Sequence, residues 1–459
     1  MDTIAAIATG KAPVAIGVIR ISGPETDAVV GRVFHPDCQK DFSALTPRKF
    51  FMGRMLDAEG RVLDGGMAVR FPGPASYTGE DSAELHCHGS PVAMGELLLA
   101  LFVAGARQAR PGEFTQRAFL NGKLDLTQAE AVIDLIEAES PAAARNAAKQ
   151  LSGTLGRSLS AVYESLTAIA SQFYAVVDYP DEDIEDLDRS QLTSTLRDAN
   201  EILGRLLATW SRGRLLKSGV RTAIIGRPNA GKSSLLNALA GFDRCLVTDI
   251  PGTTRDTVEE SVLCGGVLLR LIDTAGIRET DDLVEKLGVE RSKAAVEGAD
   301  LVLALLDGAA AFTAEDSAIL ELASLSPHRL LILTKQDLRS DCAAALNFPG
   351  EGSIPPEGIV SLSSVTGEGL DTLEKAVAAL FPAGTEDAGS LLTDPRQADA
   401  VGRARVAISR GLDALLAGLT PDVVLADTEE AMNAIGELTG NTAKEDIVSA
   451  IFSRFCVGK

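Results

Sequence analysis

A glycine-rich segment, GRPNAGKSS at 226–234, carries the clearest chemistry in the sequence. It fits the pattern G-x-x-x-x-G-K-[ST] through Gly226, Gly231, Lys232 and Ser233, after an apolar run and before the helical LLNALA. Glycines let backbone N–H groups curl around phosphates, the lysine neutralises charge on the β- and γ-phosphates, and the serine hydroxyl can coordinate Mg²⁺. The segment therefore predicts a site for a nucleoside triphosphate.

Companion segments favour GTP over ATP. DTAG offers Asp273 to hold Mg²⁺ through water and Gly276 to sense the γ-phosphate, and TDIPGTTRD offers Thr254 as a switch ligand to Mg²⁺. Asp337 of TKQD can accept hydrogen bonds from guanine, and the backbone from Ser363 can serve the guanine carbonyl. The predicted GTP-binding residues are Asn229, Ala230, Gly231, Lys232, Ser233, Ser234, Thr248, Asp249, Ile250, Pro251, Gly252, Thr253, Thr254, Asp273, Thr274, Ala275, Gly276, Thr334, Lys335, Gln336, Asp337, Ser363, Ser364 and Val365.

The guanine motif departs from the common NKxD, because Thr334 stands where Asn is usual. Some Rho-like small GTPases also carry TKxD, and the threonine hydroxyl could tether neighbouring loops. We expect Asp337 to keep the selectivity for guanine. A degenerate nucleotide site is the alternative, and the intact phosphate-binding segments argue against it.

The group that activates the attacking water is less plain. Ile277 follows DTAG, where Ras-like proteins place a glutamine that positions this water. Glu285 is a candidate acting through a bridging water, or it is an ordinary surface glutamate. Asn229 could ligate a monovalent cation whose charge substitutes for an arginine finger, or it is a variant residue of the loop without that role.

Periodicity predicts a multidomain protein with an α+β N-terminal domain, an all-α helical domain and an inserted α/β P-loop domain. Short β-rich runs come first, helical spacing follows, and β-rich runs then alternate with helices before helical spacing returns. Thr127 and Glu130 have the spacing of a capping box at the start of the helical part. The expected boundaries are 1–121 for the N-terminal domain, 122–213 and 384–459 for the two parts of the helical domain, and 214–383 for the insert.

Composition sets wider limits. A chain of 459 residues with 46% hydrophobic and 23% charged residues is globular and has room for about three domains. It has no apolar run of the roughly 18 residues needed to span a membrane and no signal-peptide pattern at its start, so we expect it in the cytoplasm. The six widely spaced cysteines suggest neither a disulfide framework nor a zinc site.

Two features bear on the binding of nucleic acid and of metal ions. A net charge of −21 opposes broad binding to a nucleic-acid backbone, so an RNA substrate would need a local patch or a partner. His86 and His88 would share one face of a strand, where they could be taken for metal ligands. Two ligands make an incomplete site, so we interpret them as core or domain-contact histidines.

The chain ends in IFSRFCVGK, with Cys456 close to its last residue. A prenylation signal is a poor match because lysine is not a usual final residue. On these residues alone, Cys456 is best interpreted as a small apolar residue that closes a terminal helix.

The order of several segments resembles the tRNA-modification GTPase family MnmE (TrmE) over essentially the whole chain. These are DTIAAIAT, GVIRISG, YTGEDSAELHCHGSP, ARPGEFTQRAFLNGKLDLTQAEAVIDLI, the P-loop set and the terminal FCVGK. The resemblance implies that the N-terminal domain binds 5-formyl- or 5,10-methylene-tetrahydrofolate through Arg20, Glu84 and Lys123. It also implies that the C-terminal motif returns to this site, which would place Cys456 and Lys459 beside the folate with Cys456 in a catalytic role.

The same resemblance implies a K⁺-stimulated GTPase, with K⁺ held by Asn229, Thr248, Ile250 and Thr253. It further implies a homodimer that forms a heterotetramer with the FAD- and NADH-dependent flavoprotein MnmG. Together they would add a carboxymethylaminomethyl or aminomethyl group to carbon 5 of the wobble uridine of certain tRNAs.

Three other functions stay open on the sequence. A switch GTPase of ribosome assembly usually carries a basic RNA-binding module, which this acidic chain lacks. A non-catalytic scaffold gated by nucleotide is disfavoured by intact Lys232, Ser233, Thr254 and Asp273. A folate store would bind reduced folate without chemistry.

Overall fold

The computed structural model describes residues 2–10, 13–178, 189–242, 260–272, 293–338, 358–382, 389–442 and 445–458. The chain divides into two compact units, one of Met1–Ile133, Gln150–Asn200 and Arg403–Lys459 and one of Asp134–Lys149 and Glu201–Gly402. We call them unit 1 and unit 2. Across the described ranges, no helix combines the length and apolar character needed to cross a membrane.

Unit 1 contains a seven-stranded sheet in the order β3-β4-β5-β6-β2-β1-β7. Neighbouring strands are antiparallel except for β1 and β7, which are parallel. The strands are β1 Ile4–Ile7, β2 Val14–Ser22, β3 Phe34–Pro36, β4 Phe51–Leu56, β5 Val62–Phe71, β6 Ser82–Gly89 and β7 Arg107–Gln108. The same part of the chain also forms the helices Thr26–Val33, Pro91–Val103 and Glu113–Leu120.

Alternation along β2 gives the sheet two different faces. Ile19 and Ile21 are fully buried in the core that includes the helices Thr26–Val33 and Pro91–Val103. Arg20 points to the opposite face, where it stands beside Glu84 in the register of β2 with β6. The apolar face therefore anchors the strands, and the other face is free to carry charged side chains.

The prediction of an all-α helical part is confirmed. The long helix Thr154–Asp178 packs along the helix Pro421–Thr439, although more than two hundred residues separate them in sequence. The last helix packs through Phe452 and Phe455 against Leu126. The helices outside the two sheets are Leu126–Ile136, Pro141–Leu151, Thr154–Asp178, Arg189–Ala208, Trp210–Ser218, Pro395–Leu416, Pro421–Thr439 and Glu445–Ser453.

The predicted capping box at Thr127 and Glu130 is wrong. The carboxylate of Asp125 accepts from the backbone N–H of Gln128 at 2.8 Å, and the Gln128 side chain accepts from the backbone N–H of Asp125 at 3.0 Å. Asp125 and Gln128 have the same three-residue spacing, and the helix begins at Leu126. Thr127 and Glu130 instead lie inside the helix and are buried.

Unit 2 contains a six-stranded sheet in the order β13-β12-β11-β8-β10-β9. All neighbours are parallel except β9 and β10. The strands are β8 Val220–Gly226, β9 Glu260–Cys264, β10 Val267–Ile272, β11 Leu301–Asp307, β12 Arg329–Thr334 and β13 Ile359–Ser361, with helices Lys232–Phe242, Ala314–Ala323 and Leu370–Leu380. Apolar side chains on both faces of this sheet form two cores, as expected for a parallel sheet covered by helices. The predicted fold class is confirmed.

Candidate functional site

The glycine-rich loop follows β8 and opens the helix Lys232–Phe242, as its motif predicts. Asn229 and Gly231 have φ angles of +64° and +91°, and Gly231 supplies the left-handed turn at the least steric cost. The loop therefore ends at the N-terminus of a helix, where a phosphate is favoured. This geometry fits the phosphates of a nucleotide.

Lys232 reaches back over the loop. Its Nζ donates to the carbonyl oxygens of Gly226 at 2.7 Å and Arg227 at 2.9 Å. Burial lowers the pKa of Lys232, because the charged ammonium is less well solvated there. An arriving phosphate would restore the favourable environment for that charge.

Thr334 contacts the phosphate loop through its side-chain hydroxyl. It is 2% exposed, and its hydroxyl lies 2.8 Å from the carbonyl oxygen of Ala230 and 3.1 Å from that of Leu306. A hydroxyl has a single proton to donate, so the two carbonyls share it. Thr334 at the end of β12 thus links the loop after β8 to β11.

The two predicted guanine-binding segments lie together. The backbone N–H of Gln336 donates to the carbonyl oxygen of Leu362 at 3.2 Å, which ties TKQD to the segment that holds Ser363. Lys335 pairs with Asp307 at 2.6 Å, and Asp337 is exposed. The buried Ser363 hydroxyl accepts from the N–H groups of the following turn, leaving that turn ordered at the mouth of the site.

Other predicted nucleotide residues lie outside the described ranges. They are Thr248, Asp249, Ile250, Pro251, Gly252, Thr253, Thr254, Asp273, Thr274, Ala275, Gly276 and Glu285, and the same is true of Lys459 in the predicted folate site.

The second candidate site lies on the charged face of the sheet in unit 1. Arg20 donates to one oxygen of Glu84 through Nε at 3.1 Å and Nη2 at 2.9 Å, and the other oxygen lies 3.3 Å from Nε2 of His86. The guanidinium carbon of Arg20 stands 5.5 Å from the centre of the Tyr77 ring and 5.9 Å from that of Phe114. The arrangement is a half-buried ion pair beside two aromatic rings.

Lys123 contacts the loop between β5 and β6. Its Nζ donates to the carbonyl oxygen of Pro74 at 3.1 Å, and Asn121 donates to the carbonyl oxygen of Thr78 at 2.7 Å. The same loop carries Tyr77, which lies against Arg20. Arg20 and Lys123 therefore contact the same loop, at Tyr77 and at Pro74.

The C-terminal tail contacts the segment after β7 and the end of β1. Val457 forms an isolated antiparallel bridge with Pro111, and the carbonyl oxygen of Cys456 accepts from Gly112 at 3.4 Å. Gly458 has a φ of +103° and lies so close to the carbonyl of Ile7 that a Cβ would collide with it. The Cys456 side chain is exposed, so it is not the buried helix closure that the residues alone suggested.

Sequence reasoning missed a buried ion network that supports this site. Arg117 is 5% exposed and donates to Glu80 at 2.9 Å, to Glu113 at 3.1 Å and to the carboxylate of Asp2 at 2.8 Å. Glu80 also accepts from Ser22 at 2.9 Å, which fixes the loop against β2. The i,i+4 spacing of Glu113 and Arg117 in the sequence is compatible with an ion pair on one face of a helix. Spacing alone does not show that this pair is buried.

Glu113 is the most perturbed acid of this network whose titration falls in an accessible range. Burial alone would raise the pKa of Glu113, but hydrogen bonds from Arg107, from the backbone N–H of Arg110 and from Arg117 outweigh it. The pKa is lowered to about 2. The carboxylate therefore stays charged, and its role is structural.

His86 and His88 have separate carboxylate partners. His88 pairs with Asp64 at 2.8 Å and its side chain is 79% exposed, whereas His86 lies beside Glu84. Within the described part of the chain, no group of three or more His, Cys, Asp or Glu side chains could hold a metal ion.

Comparison with known proteins agrees with this architecture. The family model described as GTP-binding protein TrmE N-terminus matches residues 3–123, and the MnmE helical domain matches residues 126–456. The tRNA modification GTPase MnmE of Lactobacillus delbrueckii subsp. bulgaricus is 41% identical over 100% of this chain and 98% of its own length. That of Akkermansia muciniphila is 42% identical over 100% of this chain and 99% of its own length.

Among solved structures, Era of Aquifex aeolicus bound to GDP.AlF4- is 27% identical over 41% of this chain and 66% of that one. Its TM-score of 0.28 is too low to support a conclusion. The family models and the full-length identities are sufficient by themselves: the chain belongs to the MnmE (TrmE) family of tRNA modification GTPases.

Proposed function

We propose that this GTPase couples GTP hydrolysis to one-carbon chemistry on tRNA. With the flavoprotein MnmG it would add a carboxymethylaminomethyl or aminomethyl group to carbon 5 of a wobble uridine. A reduced folate bound in the N-terminal domain would supply the one-carbon unit. The curated relatives are named tRNA modification GTPases, which supports RNA as the substrate.

The course of the C-terminal tail carries this proposal. Gly458 packs on Ile7, at the end of the strand that pairs with the strand of Arg20, and the Cys456 thiol stays exposed. A tail that merely ended a helix would not require this close approach to the sheet. We therefore assign Cys456 as a catalytic residue and Lys459 as a folate-binding residue.

The charges of the N-terminal site suit a folate. A carboxylate such as Glu84 can pair with the amidine-like edge of a pterin, and Arg20 and Lys123 can bind carboxylates. Because Arg20 and Glu84 already form a pair, the ligand would exchange one internal ion pair for two external ones. No buried charge would then be left without a partner, which would otherwise be costly.

The nucleotide site supports the hydrolytic half of the cycle. Ser233 lies in the first turn of the helix after the loop, and Asn229 is exposed beside it, so both are accessible to cations. K⁺ would supply positive charge next to the phosphates, and Glu285 would position water. The proposed ligands are Ser233 and Thr254 for Mg²⁺, and Asn229, Thr248, Ile250 and Thr253 for K⁺.

The assembly is part of the same proposal. The chain would act in the cytoplasm as a homodimer through its N-terminal domain, and as a heterotetramer with MnmG. The four segments bounded at 1–121, 122–213, 214–383 and 384–459 would remain the functional divisions.

The direct experiment is mass spectrometry of wobble uridines in total tRNA from cells that lack the protein. These cells are complemented with the wild type, with Cys456→Ser or with Cys38→Ser, whose cysteine is also exposed and serves as the matched control. We expect the wild type and Cys38→Ser to restore an aminomethyl-type uridine and Cys456→Ser to fail. K⁺-stimulated GTP turnover of purified Cys456→Ser should equal that of the wild type.

Three outcomes would count against the proposal. An unchanged nucleoside profile after deletion removes the tRNA function. Full modification by Cys456→Ser removes the catalytic role of the tail. Loss of GTP turnover in that variant would contradict the proposal that Cys456 serves tRNA modification and not GTP hydrolysis.

A further inference from the structure

A cleft of about 870 Å³ opens in unit 1 between three elements. Its walls come from the helix Glu113–Leu120 and the segment after it, from the end of the helix Pro421–Thr439, and from the last helix. The volume lies in the range of small-ligand sites and is ample for a nucleotide. Among the residues that line it, Lys123 alone also belongs to the proposed folate site.

The cleft offers neutral hydrogen-bonding groups next to an aromatic ring. Gln116, Asn441 and Ser449 line it, and in the described part of the chain their side chains make no hydrogen bond. Phe119 also lines it, and Leu120 beside it is 59% exposed. Free amides and a hydroxyl beside an apolar surface match the edges and the face of a nucleobase.

The charged side chains that line the cleft are one lysine and one acid. Lys123 is exposed in its wall, where its ammonium contacts only the carbonyl oxygen of Pro74 among the described residues. Asp125 also lines the cleft, but its carboxylate accepts from the Gln128 N–H at 2.8 Å and from the Thr127 hydroxyl at 2.6 Å. The two opposite charges leave the wall without net charge, so the neutral groups must recognise the ligand.

The cleft shares two elements with the proposed reaction site. Ser449 lies on the last helix, which ends at Ser453, and Cys456 follows that end by three residues. Lys123 belongs both to the cleft and to the loop contacts of the Arg20 site. An RNA loop whose bases are splayed apart can present neighbouring nucleotides to two such sites.

We propose that this cleft holds one unstacked nucleotide of the RNA substrate, adjacent in sequence to the uridine that is modified. The inference rests on the proposed function. Phe119 offers its ring to the base, and Gln116 and Asn441 read the base edge. The cleft thereby supplies the local RNA contact that a chain with a net charge of −21 requires.

The test fills the cleft. Ser449→Trp places a large ring in the cleft, and Ser194→Trp places the same ring on an exposed position of the helix Arg189–Ala208 outside it. The full-length proteins are titrated against a fluorescent RNA hairpin with the anticodon loop of the affected tRNA. Since one stacked base contributes about 1–3 kcal/mol, we expect about tenfold weaker binding by Ser449→Trp and none of that loss in Ser194→Trp.

A second variant guards against a local folding defect. Asn441→Ala combined with Gln116→Ala removes two side-chain amides without adding bulk and should also weaken RNA binding several-fold. GTP turnover of all variants should match the wild type, since none of these residues belongs to the nucleotide site. In complemented cells, Ser449→Trp should lower wobble-uridine modification and Ser194→Trp should not.

The outcomes separate this inference from the proposed function. Wild-type RNA binding and modification in Ser449→Trp would overturn the cleft assignment and leave the proposed function standing. An unchanged nucleoside profile in deletion cells would overturn both. If the isolated wild type does not bind the hairpin, normal modification by Ser449→Trp in cells overturns the assignment and reduced modification supports it.

Discussion

The two candidate sites are held together in different ways. At the phosphate loop of the nucleotide site in unit 2, side chains bond to the main chain: Lys232 to the carbonyls of Gly226 and Arg227, and Thr334 to those of Ala230 and Leu306. In the N-terminal site of unit 1, side chains bond to one another, as in the pair of Arg20 with Glu84 and the network around Arg117.

The difference decides how each site tolerates change. A site built from main-chain groups keeps its shape as long as the strands and helices around it fold. A site built from buried charges depends on every partner, because removing one leaves another without compensation. We therefore expect substitutions in the N-terminal network to act on stability and substitutions in the nucleotide loop to act on catalysis.

The largest expected effect is the loss of Arg117. Arg117→Ala removes one partner from the buried carboxylate of Glu113 and one from the partly buried carboxylate of Glu80, and breaking a buried ion pair costs about 3–5 kcal/mol. Urea unfolding followed by circular dichroism should show this loss. The single tryptophan, Trp210, lies in unit 2 and lets that unit be followed separately.

The control is Arg61→Ala, whose side chain is 75% exposed and which should cost less than about 1 kcal/mol. A shift for Arg117→Ala no larger than for Arg61→Ala would contradict the view that buried charges hold this site. We expect the Trp210 transition to move less than the transition of the whole chain.

Lys232→Ala should have the next largest effect, on GTP turnover. Loss of one preorganised group at developing negative charge lowers kcat by about a hundredfold to a thousandfold, or about 3–4 kcal/mol. Turnover is measured with K⁺ and Mg²⁺ against Lys375→Ala, whose side chain is 79% exposed. Unfolding of Lys232→Ala should match the wild type, and a large loss of stability would break the contrast between the two sites.

How far the sequence predicted each site follows from the same difference. A phosphate loop needs its glycines, lysine and serine at fixed spacing in one short stretch, so GRPNAGKSS was enough to predict the loop between β8 and its helix. The β-rich runs likewise predicted the parallel sheet of unit 2 because they alternate with helices.

The N-terminal site could not be assembled in this way. Asp2 and Arg117 are 115 positions apart, and nothing in local spacing indicates that they meet. Arg20 and Glu84 were named only through resemblance to a family, since both types are common on surfaces. The misplaced capping box shows a smaller limit, because two pairs with the same spacing compete and only the helix start decides between them.

The charged network of the N-terminal site should also make the stability of the chain depend on pH. The pKa of Glu113 is lowered in the folded chain from 4.5 to about 2, so the unfolded state binds the proton more tightly. Its contribution of roughly 3 kcal/mol is present above pH 4.5 and is lost as the pH falls toward about 2. Glu113→Gln should flatten the stability curve in this window.

The measurement is urea unfolding of both proteins at several pH values across that window. Glu59→Gln is the matched control, since the Glu59 side chain is 66% exposed, and its curve should follow the wild type. Equal slopes for the wild type and Glu113→Gln would remove Glu113 as a source of acid sensitivity.

The smallest expected effect concerns Thr334. Thr334→Val keeps the shape of the side chain but removes the hydroxyl that lies between the carbonyls of Ala230 and Leu306. A buried acceptor that loses its donor costs about 1–2 kcal/mol, which corresponds to about fivefold to thirtyfold weaker binding if the cost is felt in the nucleotide-bound loop.

Titration with a fluorescent GTP analogue measures this loss. Thr334→Ser retains the hydroxyl and should bind nearly as the wild type does, and Thr334→Asn restores the common motif with a side chain that can also donate. Equal affinity of Thr334→Val and the wild type would mean that the bond to Ala230 stabilises the strand end alone. Weaker binding by Thr334→Val with recovery in Thr334→Ser would instead assign the hydroxyl to positioning the phosphate loop, so that even in the main-chain site a single buried side chain sets the affinity.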